Sequence, residues 1–319
     1  MPADPKHWHR LTEADMGVSR LGSSPEAFAA RRFEASVTPS RTVAVITPAF
    51  RAQDTLSTTV QSVLDQSFGD WQHWIIADDG FDYAAFLDEQ GLRDDRQVFL
   101  TSGGVGTGAS RTRNVALQKL ETPFVAILDA DDRLKPDKLE RAVEALQNAA
   151  IVTTALDVMT MDFEHLRYVG DGPDRDLTPG EHKWVSVSMD SMVVWDRTKT
   201  DARYDPTLSN MTDLELLLQL YRHAPRSLHL GTPLHDYVKR DGSMSNGKDV
   251  AVGMIASKTE ILRRVESGFY GLSSVDIAGI ARFLRVSLAA EAAYGAALAE
   301  HPGLLFENHL EPMLAAARA

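Results

Sequence analysis

Residues 124–140 read FVAILDADDRLKPDKLE. An apolar run from Phe124 to Leu128 ends in three carboxylates, Asp129, Asp131 and Asp132. The run predicts a buried strand. Like charges crowded at its end repel one another unless a cation lies between them. A hard divalent ion, Mn2+ or Mg2+, suits such a place, because it takes one or two carboxylates together with phosphate oxygens and water.

The pattern repeats upstream. TVAVIT (42–47) predicts a strand whose end carries Thr47, Pro48 and Phe50. QHWIIA (72–77) predicts another, running into Asp78, Asp79 and Asp82, and QVFLT (97–101) a third. Between them DTLSTTVQSVLDQ places Leu56, Val60, Val63 and Leu64 on one helical face, with Asp54 positioned to cap it. SRTRNVALQKLE reads as a helix, and Pro136 suits the first turn of one carrying Leu139, Val143 and Leu146. Apolar strands alternating with helices predict an α/β fold with a mostly parallel sheet covered on both faces. Ligands in such sheets bind beyond the carboxyl ends of the strands.

After Ile151 the alternation loosens. IVTTALDVM and SMVVW (191–195) predict strands separated by a Gly/Pro/Asp-rich loop at 170–180, and TDLELLLQLYRH predicts a helix. From about Val250 the chain is Ala/Leu-rich and helical in period, which suits packing or self-association as a homodimer. The polar side of that tail is not strongly basic, so contact with a membrane surface is the weaker reading. Residues 1–40 are polar and weakly periodic. The expected organisation is an extension over 1–40, a catalytic domain over 41–249 and a helical region over 250–319.

Composition narrows the function. Across 319 residues the formal net charge is −12, which repels phosphate backbones and argues against nucleic acid. No cysteine is present, so disulfides, zinc–thiolate sites and cysteine nucleophiles are excluded, and a cytoplasmic location fits. MPADPKHWHRLTEADM has no apolar core of a signal peptide, and no run approaches the roughly 18 residues of a membrane span. Neither His-Glu-x-x-His nor Gly-x-Ser-x-Gly occurs.

Three motif readings compete for Asp129–Asp132. An EF-hand loop needs Gly at its sixth position, where Leu134 stands, and Pro136 would interrupt it. A haloacid-dehalogenase phosphatase has Thr or Val where Arg133 stands, and usually opens its domain with this strand. The third reading draws on residues 42–140 together. VAVITPAFRAQDTLSTTVQSVLDQSFGDWQHWIIADDG, GTGASRTRNVAL and VAILDADDRLKPDKLE resemble, in order and spacing, three motifs of the family 2 glycosyltransferases of the GT-A fold. Phe81 replaces the usual Ser after Asp-Asp-Gly, and Thr112 replaces the Ala before Arg-Asn.

The resemblance implies an inverting transferase that moves a sugar from a nucleotide-sugar donor, UDP favoured, to a hydroxyl acceptor on a glycan or lipid-linked sugar. It also implies a setting in bacterial surface-polysaccharide synthesis. Thr47, Pro48 and Phe50 would line the nucleoside pocket. Asp79 would accept from the base imide with Asp78 beside it, and Arg113 would lie near the nucleotide. Asp129 would reach the ribose or donor sugar, and Asp131 with Asp132 would hold Mn2+ or Mg2+. The family's general base lies in an Glu-Asp pair, matched here by Thr212 and Asp213, so Asp213 is the expected base. Taken alone, Thr212-x-x-Glu215 is also a capping box. Arg240 and Ser243, in HDYVKRDGSMSNG, match a loop that would close on the diphosphate.

Two other functions remain open from the residues. Gly104-x-Gly106-x-x-Ala109 follows a strand and opens a helix, with Asp129 about twenty residues on, which is the fingerprint of a dinucleotide-dependent oxidoreductase. The departures at Phe81 and Thr212 also suit a catalytically weak member that only binds nucleotide.

Overall fold

The computed structural model describes residues 40–185, 192–239 and 248–318. Its centre is strand β1 (Val43–Ala49), where only Pro48 retains appreciable exposure. β1 pairs in parallel with β2 (Trp71–Ala77) on one side and β4 (Phe124–Ile127) on the other, and β2 with β3 (Gln97–Thr101). Helices α1 (Leu56–Leu64), α2 (Tyr83–Glu89) and α3 (Ala109–Leu117) supply the crossovers. Alternate side chains of β1 point to opposite faces. Ala44 and Ile46 pack with Ala116 and Leu117 of α3, while Val43 and Val45 pack with Val63 of α1. Both faces are covered, which is why the strands read as unbroken apolar runs.

The chain continues through β5 (Arg133–Leu134), α4 (Lys138–Ala145), β6 (Ile151–Met159), β7 (His165–Val169), β8 (Arg175–Leu177) and α5 (Pro179–Val185). Then come β9 (Val194–Asp196), α6 (Thr212–Leu220) and β10 (Ser227–Val238). The sheet order is β3-β2-β1-β4-β9-β6-β10-β5, with β7 on β6 and β8 on β10. The four strands β3, β2, β1 and β4 run parallel, so their carboxyl ends share one edge. β9 runs antiparallel to both β4 and β6 and joins this half to a second parallel pair, β6 and β10.

Several local expectations change. Thr55, not Asp54, precedes α1, and no side chain caps that helix. Pro136 lies outside α4, whose N-cap is Asp137. Asp82 is the N-cap of α2, accepting from the N–H groups of Ala84 and Ala85 at 3.1 and 3.0 Å. The loop expected at 170–180 contains β8, and residues 235–238, expected in a loop, complete β10. β10 escaped the sequence reading because Gly231 and Pro233 interrupt it where its register with β6 shifts.

The capping box is not formed. Met211 sits at the N-cap of α6 with a left-handed backbone, and no side-chain cap bond is made. Glu215 is fully buried and accepts instead from Gln219 Nε2 at 2.7 Å and Tyr270 OH at 3.3 Å.

The tail forms α7 (Lys248–Glu266), α8 (Ser274–Glu300) and α9 (Phe306–Arg318). Leu214 and Leu218 of α6 share a core with Ile261, Val265, Phe283, Leu284, Leu310 and Leu314, so the tail packs on α6. Among the described residues no helix is long and apolar enough to cross a membrane. α5 and α8 approach backbone to backbone. A Cβ on Gly279 would lie 2.6 Å from the Gly180 oxygen and 2.8 Å from its Cα. Gly279→Ala should therefore push α8 away from α5 and lower stability by about 1–3 kcal/mol, read as a drop in the urea midpoint.

Candidate active site

The carboxyl ends of β1, β2 and β4 bring eight of the expected site residues to one edge. Their side chains take different tasks, and the hydrogen bonds separate them.

Asp78 and Asp79 follow β2. The Asp78 carboxylate is buried and accepts from Ser102 Oγ at 2.6 Å, Thr107 N at 3.0 Å, Thr107 Oγ1 at 2.6 Å and Gly108 N at 3.0 Å. Burial would raise its pKa, but these donors hold it below the usual carboxylate range. A carboxylate has about four acceptor sites, so Asp78 is saturated. Asp79 accepts from Arg51 N at 2.7 Å, Tyr83 OH at 2.8 Å and Phe81 N at 3.0 Å. It too is held below the usual range, burial being outweighed by Arg51, Phe81 and Tyr83. Three donors leave it room for a fourth.

Asp78 also decides the glycine-rich loop. In a dinucleotide fold the N–H groups at the start of the helix after this loop face a pyrophosphate. Here the N–H groups of Thr107 and Gly108, at the start of α3, are turned onto the Asp78 carboxylate. That carboxylate would repel a pyrophosphate, so the oxidoreductase reading of Gly104, Gly106 and Ala109 is set aside.

Of the residues after β1, Thr47 is fully buried and shares a 2.9 Å hydrogen bond with His73 Nε2. Burial pushes His73 down to about 3, so this imidazole is neutral. Pro48 is half-buried. Phe50 is 45% exposed, and a Cβ on Gly106 would lie 3.8 Å from its ring.

The three carboxylates after β4 diverge. Asp129 forms an ion pair with Arg113 of α3. Asp131 lines a cleft of about 110 Å³ together with Asp54, Thr55, Thr58, Met161, Phe163 and Val238. Asp132 turns inward and is only 1% exposed. It accepts from Val238 N at 2.9 Å and pairs with His235 Nε2 at 3.0 Å. Behind His235, Lys138 Nζ lies 3.1 Å from Nδ1 and is also fully buried. Burial lowers Lys138 to about 7, pushes Asp132 well up and pushes His235 well down. A neutral His235 donating to Asp132 and accepting from Lys138 satisfies all three groups. The structure thus divides the expected metal pair, with Asp131 at the cleft and Asp132 in the interior. The backbone just after Asp132 is held from α1, where Thr59 Oγ1 donates to the Asp132 carbonyl at 2.9 Å.

Oxygen donors dominate the polar lining of the cleft at Asp131, which fits a hard divalent ion. Among the described residues no three carboxylate or imidazole groups converge into a cage.

Asp213 opens α6. Arg113, 4% exposed, reaches Asp129 with Nη2 and Asp213 Oδ1 with Nη1 at 3.4 Å. Burial works against its charge, but Asp129, Tyr204 and Asp213 raise its pKa above the ordinary arginine value. One guanidinium therefore joins two carboxylates from distant parts of the chain. Tyr204, Asn114, His235 and Lys138 were not singled out from the sequence. Only Asn114 had a signal there, as part of the Arg-Asn pair. Arg240 and Ser243 lie outside the described residues.

The family model for Glycosyl transferase family 2 matches residues 44–184, from β1 to α5, the stretch that carries these strand ends. Residues 44–184 form a glycosyl transferase family 2 domain. Among curated relatives this glycosyltransferase is 29% identical over 208 residues to TuaG of Bacillus subtilis, named for teichuronic acid biosynthesis. That match covers 65% of this chain and 82% of TuaG. It is 31% identical over 104 residues to Escherichia coli WfgD, named as a UDP-Glc:α-D-GlcNAc-diphosphoundecaprenol β-1,3-glucosyltransferase, covering 33% of this chain and 40% of WfgD.

The fold of the glycosyltransferase matches S. aureus TarS 1–349, crystallised with UDP-GlcNAc, at TM-score 0.60 and 16% identity over 86% of this chain and 79% of that one. It also matches the mannosyltransferase PcManGT of Pyrobaculum calidifontis, solved with GDP-Man and Mn2+, at TM-score 0.53 and 12% identity over 86% and 85%. The fold is thus GT-A.

The Asp78 latch is testable without substrate. Asp78→Asn replaces one acceptor oxygen by an NH2 group among four donors. It should cost about 1–3 kcal/mol and speed amide exchange at Gly103–Gly108, measured by hydrogen–deuterium exchange.

Proposed function

We propose that this enzyme transfers a sugar, with inversion, from a UDP-sugar to a hydroxyl of a glycan or lipid-linked acceptor, in bacterial cell-surface polysaccharide synthesis. The observation that carries the reading is the single guanidinium of Arg113 between Asp129 and Asp213. It ties together the two carboxylates that this reading assigns to the donor sugar and to the acceptor proton. The named activities of TuaG and WfgD support the setting, and UDP-GlcNAc in TarS supports the donor class.

In this reading Phe50 and Gly106 offer a flat surface to the base, over a floor set by Thr47 and Pro48. Asp79 has acceptor capacity left for the base imide, while Asp78 holds the loop beside it. Asp129 faces the ribose or donor sugar. Asp131 would hold Mn2+ or Mg2+, whose remaining ligands would be phosphate oxygens and water. When bound, such an ion neutralises charge developing on the departing diphosphate. Asp132, held by His235 and Val238, fixes the turn that aims Asp131. Asp213 accepts the proton of the attacking hydroxyl, the task of a general base. Arg240 and Ser243 are assigned to the diphosphate from the family motif.

Calorimetry of UDP with Mn2+ and with EDTA checks this reading. Binding should require the metal and weaken at least about tenfold in Asp131→Ala, a loss of about 1.4 kcal/mol. Asp213→Asn should bind UDP like the wild type while transfer falls about 10²–10⁴-fold. A chain that only binds nucleotide would bind UDP and transfer no sugar from any donor.

A further inference from the structure

Tyr204 lies between β9 and α6 and is 2% exposed. Its hydroxyl donates to Asp213 Oδ1 at 3.0 Å. Its ring faces Arg113, whose Cζ is 4.9 Å from the ring centroid. Its backbone is gripped by one side chain of α3. Asn114 Nδ2 donates to the Tyr204 carbonyl at 2.8 Å, and Tyr204 N donates to Asn114 Oδ1 at 3.0 Å. Burial and the neighbouring Asp213 push the phenol well above its ordinary range, so it remains a proton donor. Arg113 reaches the same oxygen, Oδ1, as the phenol does.

We infer that Tyr204 is a positioning residue for the sugar-transfer reaction, fixing the rotation of the Asp213 carboxylate, and that Asn114 acts through it. Adjacent residues of α3 then divide one task. Arg113 supplies charge to Asp213, and Asn114 fixes the loop that supplies the phenol. The physical requirement is orientation. A carboxylate at the first turn of a helix turns freely about its Cβ–Cγ bond unless donors hold it, and two converging on one oxygen leave a single favourable angle. A base displaced by an ångström loses far more rate than affinity. The inference rests on Asp213 being the base.

The test is Tyr204→Phe, which keeps the ring and its contact with Arg113 and removes only the hydroxyl. Its crystal structure needs no substrate. The Asp213 carboxylate should leave its present orientation or occupy two, and a single unchanged orientation overturns the inference. In kinetics, with UDP release from UDP-GlcNAc or UDP-Glc as the readout, kcat should fall about ten- to hundredfold at unchanged donor KM and unchanged calorimetric UDP affinity. Asn114→Ala should show the same split and stands in if Tyr204→Phe folds poorly. In the Asp213→Asn background, Tyr204→Phe should have no further effect, because it acts through that carboxylate. A full additional loss there would mean that Tyr204 acts elsewhere. If Asp213→Asn abolishes turnover and Tyr204→Phe leaves kcat unchanged, the inference fails while the base assignment stands. If Asp213→Asn leaves turnover unchanged, the base assignment fails and this inference with it.

Discussion

A guanidinium removed almost wholly from water keeps its charge and so has to be met by anions. Arg113 is such a group, and its anions come from distant parts of the chain. Asp129 follows the central strand β4, and Asp213 opens α6, a hundred residues beyond Arg113. Removing one partner of a buried pair leaves an uncompensated charge, commonly several kcal/mol. The interaction therefore constrains α3, the end of β4 and the start of α6 together. Tyr204, drawn in by Asn114 and facing the same guanidinium, completes the arrangement.

The remaining carboxylates at this edge are sorted by how many donors each receives. Asp78 is saturated by four and holds the glycine-rich loop. Asp79 has three and keeps capacity for another. Asp132 is drawn inside by His235 and the Val238 amide, with Lys138 behind, and the turn it anchors presents Asp131 at the cleft. An edge that reads as a patch of like charge is in fact two structural anchors, one partly satisfied acceptor and one cleft-lining group.

Much of the parallel half was legible in the sequence. QVFLT and IVTTALDVM match β3 and β6 end for end, and the runs at 42–47, 72–77 and 124–128 fall on β1, β2 and β4. Strands buried on both faces must be apolar at every position, which leaves a signal that short-range reading detects. The helices of the tail were legible by their period. β10 was not, because Gly231 and Pro233 break its pattern at an irregular register. The capping-box reading of Thr212 and Glu215 failed for a related reason, since Arg264 and Tyr270, far along the chain, compete for the Glu215 carboxylate.

The sequence by itself determined that carboxylates gather at the ends of parallel strands, because strand polarity and the order of the motifs are local properties of the chain. Which carboxylate faces the cleft, and which is spent on the interior, was decided only by the tertiary structure. Asp131 and Asp132 are neighbours of identical chemistry, and no local pattern distinguishes them. They are separated by His235 and Val238 of β10, more than a hundred positions away. Tyr204 had no pattern at all, since its role arises from a hydroxyl, a carboxylate, a guanidinium and an amide brought together from α3 and two later segments. Hydrogen-bond saturation depends on every donor within about 3 Å in space, and the chain order records almost none of those approaches.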